Sequence, residues 1–197
     1  MIERIKNILF SPKTEWDKIK TETTNTMQVF TGYAIPLALI APVFGLLGLA
    51  IIGQRYGFGP ISGVFRIPIT YAIVWAVVYY ILYLVSLFVQ GIIINALAPA
   101  FGSKPSSINA LKVAVYSATP GMLAGVLQII PALGILVFLC SLYGLYLLYL
   151  GLPIMMETPK DKLIGYFVVI IIVMIVLYFV IGAIAGAVLA ATWRPIF

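Results

Sequence analysis

This chain has no histidine, a single cysteine and few charges: 12 Lys and Arg and 6 Asp and Glu among 197 residues, or 9% charged against 63% hydrophobic. Each shortage removes a class of chemistry. Zinc peptidase sites draw on imidazole ligands, and serine–histidine hydrolysis needs an imidazole base. One cysteine, Cys140, allows no intrachain disulfide. It lies in the apolar run LVFLCSLYG and reads as a buried, inert thiol. The carboxylates Glu3, Glu15, Asp17, Glu22, Glu157 and Asp161 all fall in the first 22 residues or in one internal loop. That leaves no acid in the apolar stretches, which excludes intramembrane aspartyl chemistry and speaks against a proton-driven pump or antiporter. No enzyme, cofactor or metal site is expected.

Charge is missing altogether from residues 23–54, 67–103, 113–156 and 163–193. About 20 apolar residues cross the hydrocarbon core as a helix, so each stretch can span. The third must fold back, because one helix over 113–156 would be about 66 Å long. A soluble domain is about 45–50% apolar and about 25% charged, and a soluble core of this size has no place for the excess. The fold class predicted is all-α: a polytopic bundle of five transmembrane helices over 23–197, preceded by a short amphipathic segment over 1–22. The spans are expected within 29–52, 68–96, 111–130, 132–155 and 160–190. Pro36, Pro42, Gly45 and Gly48 break the first, and residues 53–66 form a loop. IPALG at 130–134 turns the third into the fourth. Ser106 or Ser107 caps the third helix, and Thr158, Pro159 and Asp161 fit N-cap, N1 and N3 of the fifth.

In MIERIKNILF, Ile2, Ile5, Leu9 and Phe10 share one side of a helix, and Glu3, Arg4 and Lys6 the other. Ser11 and Pro12 then start a second helix that brings Trp16 and Ile19 together. Residues 1–22 do not read as a signal peptide. They are expected to lie on the membrane as a cytoplasmic interfacial segment, with Trp16 as the anchor at headgroup depth.

Arg4, Lys6, Lys13, Lys18, Lys20, Lys104, Lys112, Lys160 and Lys162 share one side of a five-span protein, and Arg55, Arg66 and Arg194 the other. Nine against three predicts a cytoplasmic N-terminus and an external C-terminus. The basic balance sits at span ends, which suits topogenic charge and anionic lipid rather than nucleic acid.

Two small-residue pairs stand four apart, Gly121 with Gly125 and Gly182 with Gly186. Such pairs let helices approach closely, within one chain or between copies. Tyr143, Tyr146 and Tyr149 recur every third residue, and Tyr79, Tyr80 and Tyr83 cluster in span two. A buried tyrosine hydroxyl needs a partner. Ordinary interhelical bonding and interfacial belting explain these, or a polar seam near Tyr116, Tyr143 and Tyr146 runs inside the bundle.

The order LAPAFGSKPS, ALKVAVYSATPGMLAGVLQIIPALG, LYGLYLLYLGLPIMMETPKDKLIGY resembles the prokaryotic branch of the Yip family (Yip-one domain, Ypt/Rab-interacting type). The family's Gly-Tyr-x-x-x-Pro feature appears as Val115-Tyr116-Ser117-Ala118-Thr119-Pro120, with valine for glycine. The Asp-Leu-Tyr-Gly-Pro segment of eukaryotic members is absent. The resemblance implies five helices with a cytoplasmic N-terminus and, for eukaryotic members, vesicle traffic through Rab GTPases. The expected function is a non-enzymatic membrane scaffold that associates with itself or other membrane proteins, in contact with membrane lipids. The alternative is a passive channel or a lipid-handling protein.

Overall fold

A computed structural model describes residues 1–56 and 63–192. Arg194, counted above among the outer charges, lies outside the described residues. The predicted all-α architecture is present. Five apolar helices are long enough to cross a membrane: Thr26–Ile52, Ile69–Phe101, Ser107–Ile129, Gly134–Met155 and Lys160–Val188. They are called spans one to five. Before them stand α1 (Ile2–Phe10) and α2 (Pro12–Thr21).

Span three is the central post. It is the most enclosed by protein, whereas spans four and five turn most of their surface outward. Its residues Ala110, Val113, Ala114 and Val115 are small or branched, and they are buried among the other helices. Pro120 has no N–H to give and its ring clashes with the preceding turn; the helix breaks at Ala118, between Ser107–Ser117 and Thr119–Ala124.

Span one is segmented at its prolines. The turn Phe30–Ala34 before Pro36 is widened to π geometry, as is Gly48–Ile52 at the far end. Such bulges accommodate a lost helical hydrogen bond. The Tyr80 hydroxyl of span two donates to the Ile35 carbonyl at 3.0 Å, beside the first kink. This is how a broken helix survives in lipid, where a neighbour re-satisfies the backbone.

The turns behave largely as expected. Ile130–Leu133 closes by a tight turn, with Leu133 N–H on the Ile130 carbonyl at 2.8 Å. Ser106 caps span three by accepting from Asn109 N–H at 3.5 Å. Span two runs further than predicted, to Phe101, and ends on Gly102 at φ +64°, the left-handed position that favours glycine. The expected 53–66 loop contains a short antiparallel pairing, β1 (Gln54–Tyr56) with β2 (Gly63–Phe65), in which Arg55 faces Val64.

Two expectations are corrected. Thr158 does not cap span five, which starts at Lys160. Its buried hydroxyl instead donates to the Leu152 carbonyl at 3.1 Å and accepts from Ser103 at 2.9 Å, so it closes the end of span four. Cys140 is exposed rather than buried. An apolar run in a membrane helix has lipid as an alternative to core, so hydropathy alone does not assign its face.

Candidate functional site

The first site is the seat of the N-terminal helices. α1 and α2 do not lie free on the surface, as expected of residues 1–22. Ile8, Trp16 and Ile19 are fully buried and belong to the same core as spans one to five. Trp16, expected at headgroup depth, is enclosed by protein: its ring fills a notch at Gly151 of span four, where a Cβ would stand 2.9 Å away. It meets Tyr116 edge to face at 6.3 Å. The Trp16 Nε1–H has no hydrogen-bond partner among the described residues.

Tyr116 sits at the centre of this seat. Tyr33 packs against it edge to face at 4.7 Å, and the Arg4 guanidinium lies 5.6 Å over its ring. The Thr119 hydroxyl donates to the Tyr116 carbonyl at 2.7 Å. The Tyr33 hydroxyl therefore donates to Thr119, at 2.8 Å. Arg4 holds Glu15 at 2.7 Å and also Glu22. Burial penalises the Arg4 charge, but Glu22, Tyr116 and Glu15 together outweigh it and raise its pKa above the ordinary value. Glu15 is only 3% exposed, so the pair lies largely out of water.

Lys112 completes the seat. It is 2% exposed, and its ammonium donates to the carbonyls of Ile19 at 3.0 Å and Glu22 at 2.8 Å. Those carbonyls end α2, where a helix leaves acceptors unpaired and carries partial negative charge. A cation from span three thus caps a helix far away in sequence. Tyr143 does the same for α1, donating to the Leu9 carbonyl at 2.6 Å. At the rim, Lys20 meets Glu157 at 3.0 Å and Lys104 reaches the same carboxylate at 3.9 Å. These two cations, first through the Lys20 hydrogen bond, hold the Glu157 carboxyl below its ordinary range.

The second site is a chamber of about 660 Å³ deep among all five spans. Its wall is mostly apolar, with Tyr79, Tyr83, Tyr178, Gln128, Ser117 and Ser141 as the polar exceptions. Trp75, Tyr79 and Tyr83 stack along span two, at 5.3 Å and 6.1 Å between rings. Tyr79, Tyr83, Gln128 and Tyr178 line the same chamber. Gln90 donates to the Tyr178 hydroxyl at 3.4 Å.

Spans four and five touch near the α1–α2 end, where Tyr149 and Phe167 meet edge to face at 5.4 Å. Further along they part. Phe138 and Leu142 of span four and Ile175 and Phe179 of span five line the chamber yet remain exposed. The chamber therefore opens sideways, toward lipid.

The seam expected at Tyr116, Tyr143 and Tyr146 is divided. Tyr116 and Tyr143 belong to the N-terminal seat. Tyr146 stacks tilted on Tyr143 at 5.5 Å and is otherwise exposed. None of the three lines the chamber, whose tyrosines come from spans two and five. The glycine pairs also part ways. Gly125 is pressed on Ala41 of span one, with backbone 2.7 Å from where a Cβ would stand, and Gly121 lies on Ser141 at 3.0 Å. Among the described residues, nothing stands within 4 Å of where a Cβ on Gly182 or Gly186 would lie.

Sequence reasoning read Arg4 and Lys112 as topogenic and gave Glu15 no role, so all three were missed as structural charges. The one signal was that Lys112 sits six residues inside span three. Among the described residues, no group of three or more Cys, Asp and Glu side chains could hold a metal ion.

These features define a polytopic helical membrane protein with an amphipathic hairpin locked onto one end of its bundle. The chain belongs to the Yip1 domain family, whose description matches residues 6–184. It is similar to the inner membrane protein YohC of Escherichia coli K12, with 30% identity over 162 residues, covering 78% of this chain and 80% of that protein. The protein of the same name in E. coli O6:H1 strain CFT073 gives the same figures. No solved structure matches this chain.

Proposed function

We propose that this chain is a non-enzymatic scaffold of the cell (plasma) membrane that organises other membrane proteins, pairing with them or with its own copies through span five. The observation that carries this reading is the bare face of Gly182 and Gly186. Lipid-facing helices are usually covered with large side chains, and a bare small-residue stripe suits close approach by another helix. The name of the E. coli relative, an inner membrane protein, supports the location. The lack of acids in the charge-free stretches and of histidine anywhere in the sequence supports a non-enzymatic role. The charge bias supports a cytoplasmic N-terminus and an external C-terminus, which reporter fusions at the two ends test directly.

The pairing surface is tested by changing Gly182→Leu and Gly186→Leu together. Crosslinking in the native membrane and native mass spectrometry should report loss of the oligomer. The same oligomer before and after overturns the assignment.

Lipid handling is the second reading, favoured by the chamber and its opening between spans four and five. It replaces the tyrosines first expected with Tyr79, Tyr83 and Tyr178.

A further inference from the structure

The chamber carries a more definite assignment, which deepens the lipid-handling reading and does not depend on self-association. Three observations converge on its occupant. The first is access: the slot between Leu142 and Ile175 is framed by exposed apolar side chains, so what enters comes from the hydrocarbon. The second is size. About 660 Å³ is within the roughly 300–1,000 Å³ of small-ligand sites. A helix about 10 Å across would need roughly 1,200 Å³ for a length of only 15 Å. A flexible chain fits where a helix does not.

The third observation is an unused pair of donors. Among the described residues the Tyr83 hydroxyl has no hydrogen-bond partner. Tyr178 accepts from Gln90 but donates to nothing. Both side chains line a chamber that opens to hydrocarbon, where no water supplies the missing acceptor. At 1.5 Å per residue, Tyr83 lies about 21 Å from Leu97 and Tyr178 about 27 Å from Lys160, both measured from the α1–α2 end. The hydrocarbon core is about 30 Å thick. Both residues therefore stand in its far third, roughly 3–9 Å short of the opposite boundary, within a tyrosine's reach of it. The apolar part of the chamber, down to Ala114 and Gly144, runs from there toward the bilayer centre.

We propose that the chamber binds one acyl chain of an ester-linked membrane lipid from the leaflet opposite α1 and α2. The chain enters sideways between spans four and five, and its carbonyl oxygen accepts from Tyr83 and Tyr178. No covalent step is involved. The two tyrosines select for an acceptor at the head of the chain, and the rest of the chamber holds methylenes.

The test uses the full chain in phosphatidylcholine nanodiscs doped with a phosphatidylcholine carrying a diazirine within its acyl chain. Crosslinked positions are mapped by mass spectrometry. Label should concentrate severalfold on Ser141, Leu142 and Tyr83 over outward positions of span two such as Ile73 and Val77. Unlabelled ester phosphatidylcholine should compete about three- to tenfold better than its ether analogue, as expected for one or two neutral hydrogen bonds. Tyr83→Phe with Tyr178→Phe should abolish that preference, and Tyr83→Phe alone, which breaks no hydrogen bond within the protein, should reduce it without lowering the melting temperature. Label spread evenly over all lipid-facing positions overturns the proposal. Equal competition by ester and ether lipids overturns the carbonyl contact. Crosslinks between copies through Phe138 and Phe179 would show a second chain in the slot and overturn it too. An unchanged oligomer in the Gly182/Gly186 variant bears only on the scaffold reading.

Discussion

The indole of Trp16 occupies the space that any side chain on Gly151 would claim: a Cβ there would stand 2.9 Å from Cε2 and Cζ2 of the ring. One residue's lack of a side chain is the other's socket. Gly151→Ala should therefore unseat α2 and cost about 1–3 kcal/mol, the usual penalty of overpacking. Trp16→Ala should cost about 3–5 kcal/mol by leaving the socket empty. Thermal unfolding in detergent and protease cleavage within 1–22 check both, and cleavage should accelerate in each.

Arg4 and Glu15 give a charge-specific version of the same test. Arg4→Met leaves Glu15 buried without its main partner, and breaking a buried pair costs about 3–5 kcal/mol. The double change Arg4→Met with Glu15→Gln should recover much of that loss. A double variant as unstable as the single one would mean that the pair contributes only packing.

Lys112→Met should release the end of α2. Two carbonyls, of Ile19 and Glu22, lose their donor, and an unsatisfied buried acceptor costs about 1–3 kcal/mol. Hydrogen exchange should rise over 16–22 and stay unchanged in spans one and five. Uniform exchange across the chain would contradict a local capping role.

The two glycine pairs should respond in opposite ways. Gly125→Leu drives a side chain into the Ala41 backbone and should lower the melting temperature sharply. Gly182→Leu meets open space within the chain and should leave it unchanged, whatever happens to assembly. Equal destabilisation by the two would mean that the distal half of span five is packed on its own bundle.

Glu157 sets an acid limit on the rim. Its carboxyl is held below the ordinary value by the Lys20 hydrogen bond and by Lys104 and Lys20 charge. A carboxylate lowered in the folded state contributes stability above its unfolded pKa and loses it as pH falls through the folded value. Stability of the wild type should thus decline below about pH 4.3, the unperturbed glutamate value, and Glu157→Gln should flatten that decline. Because Glu157 is exposed, added salt should blunt the difference. Glu157 also adopts φ +52°. Glu157→Asn, better suited to that backbone, should separate conformational from ionic effects.

How much of this was legible in the sequence follows from what each signal measures. Charge-free runs report exclusion of water, and they located all five spans and the fold-back at 130–134. The Pro36, Pro42 and Pro120 breaks follow from the missing N–H, which is a local property. Burial against protein rather than lipid is not local. Cys140, Trp16 and the two glycine pairs show identical hydropathy whether they face a neighbour or a tail, so their faces were out of reach. Lys112 is the instructive case. Its charge marked it as a span-end residue, whereas it stands inside Ser107–Ile129, and only the fold brings the end of α2 within 3.0 Å of its ammonium.

Span five adds a mechanical consequence. The helix continues from Lys160 to Thr192, 33 residues, or about 50 Å of rod for a membrane about 30 Å thick. A rod too long for its slab leans, and this one is tied to span two near its start, where the Tyr166 hydroxyl bonds the Ile94 carbonyl, and again further along, where Gln90 donates to Tyr178. Thinner bilayers favour a greater tilt. Span two, bonded to it at both places, has to lean with it.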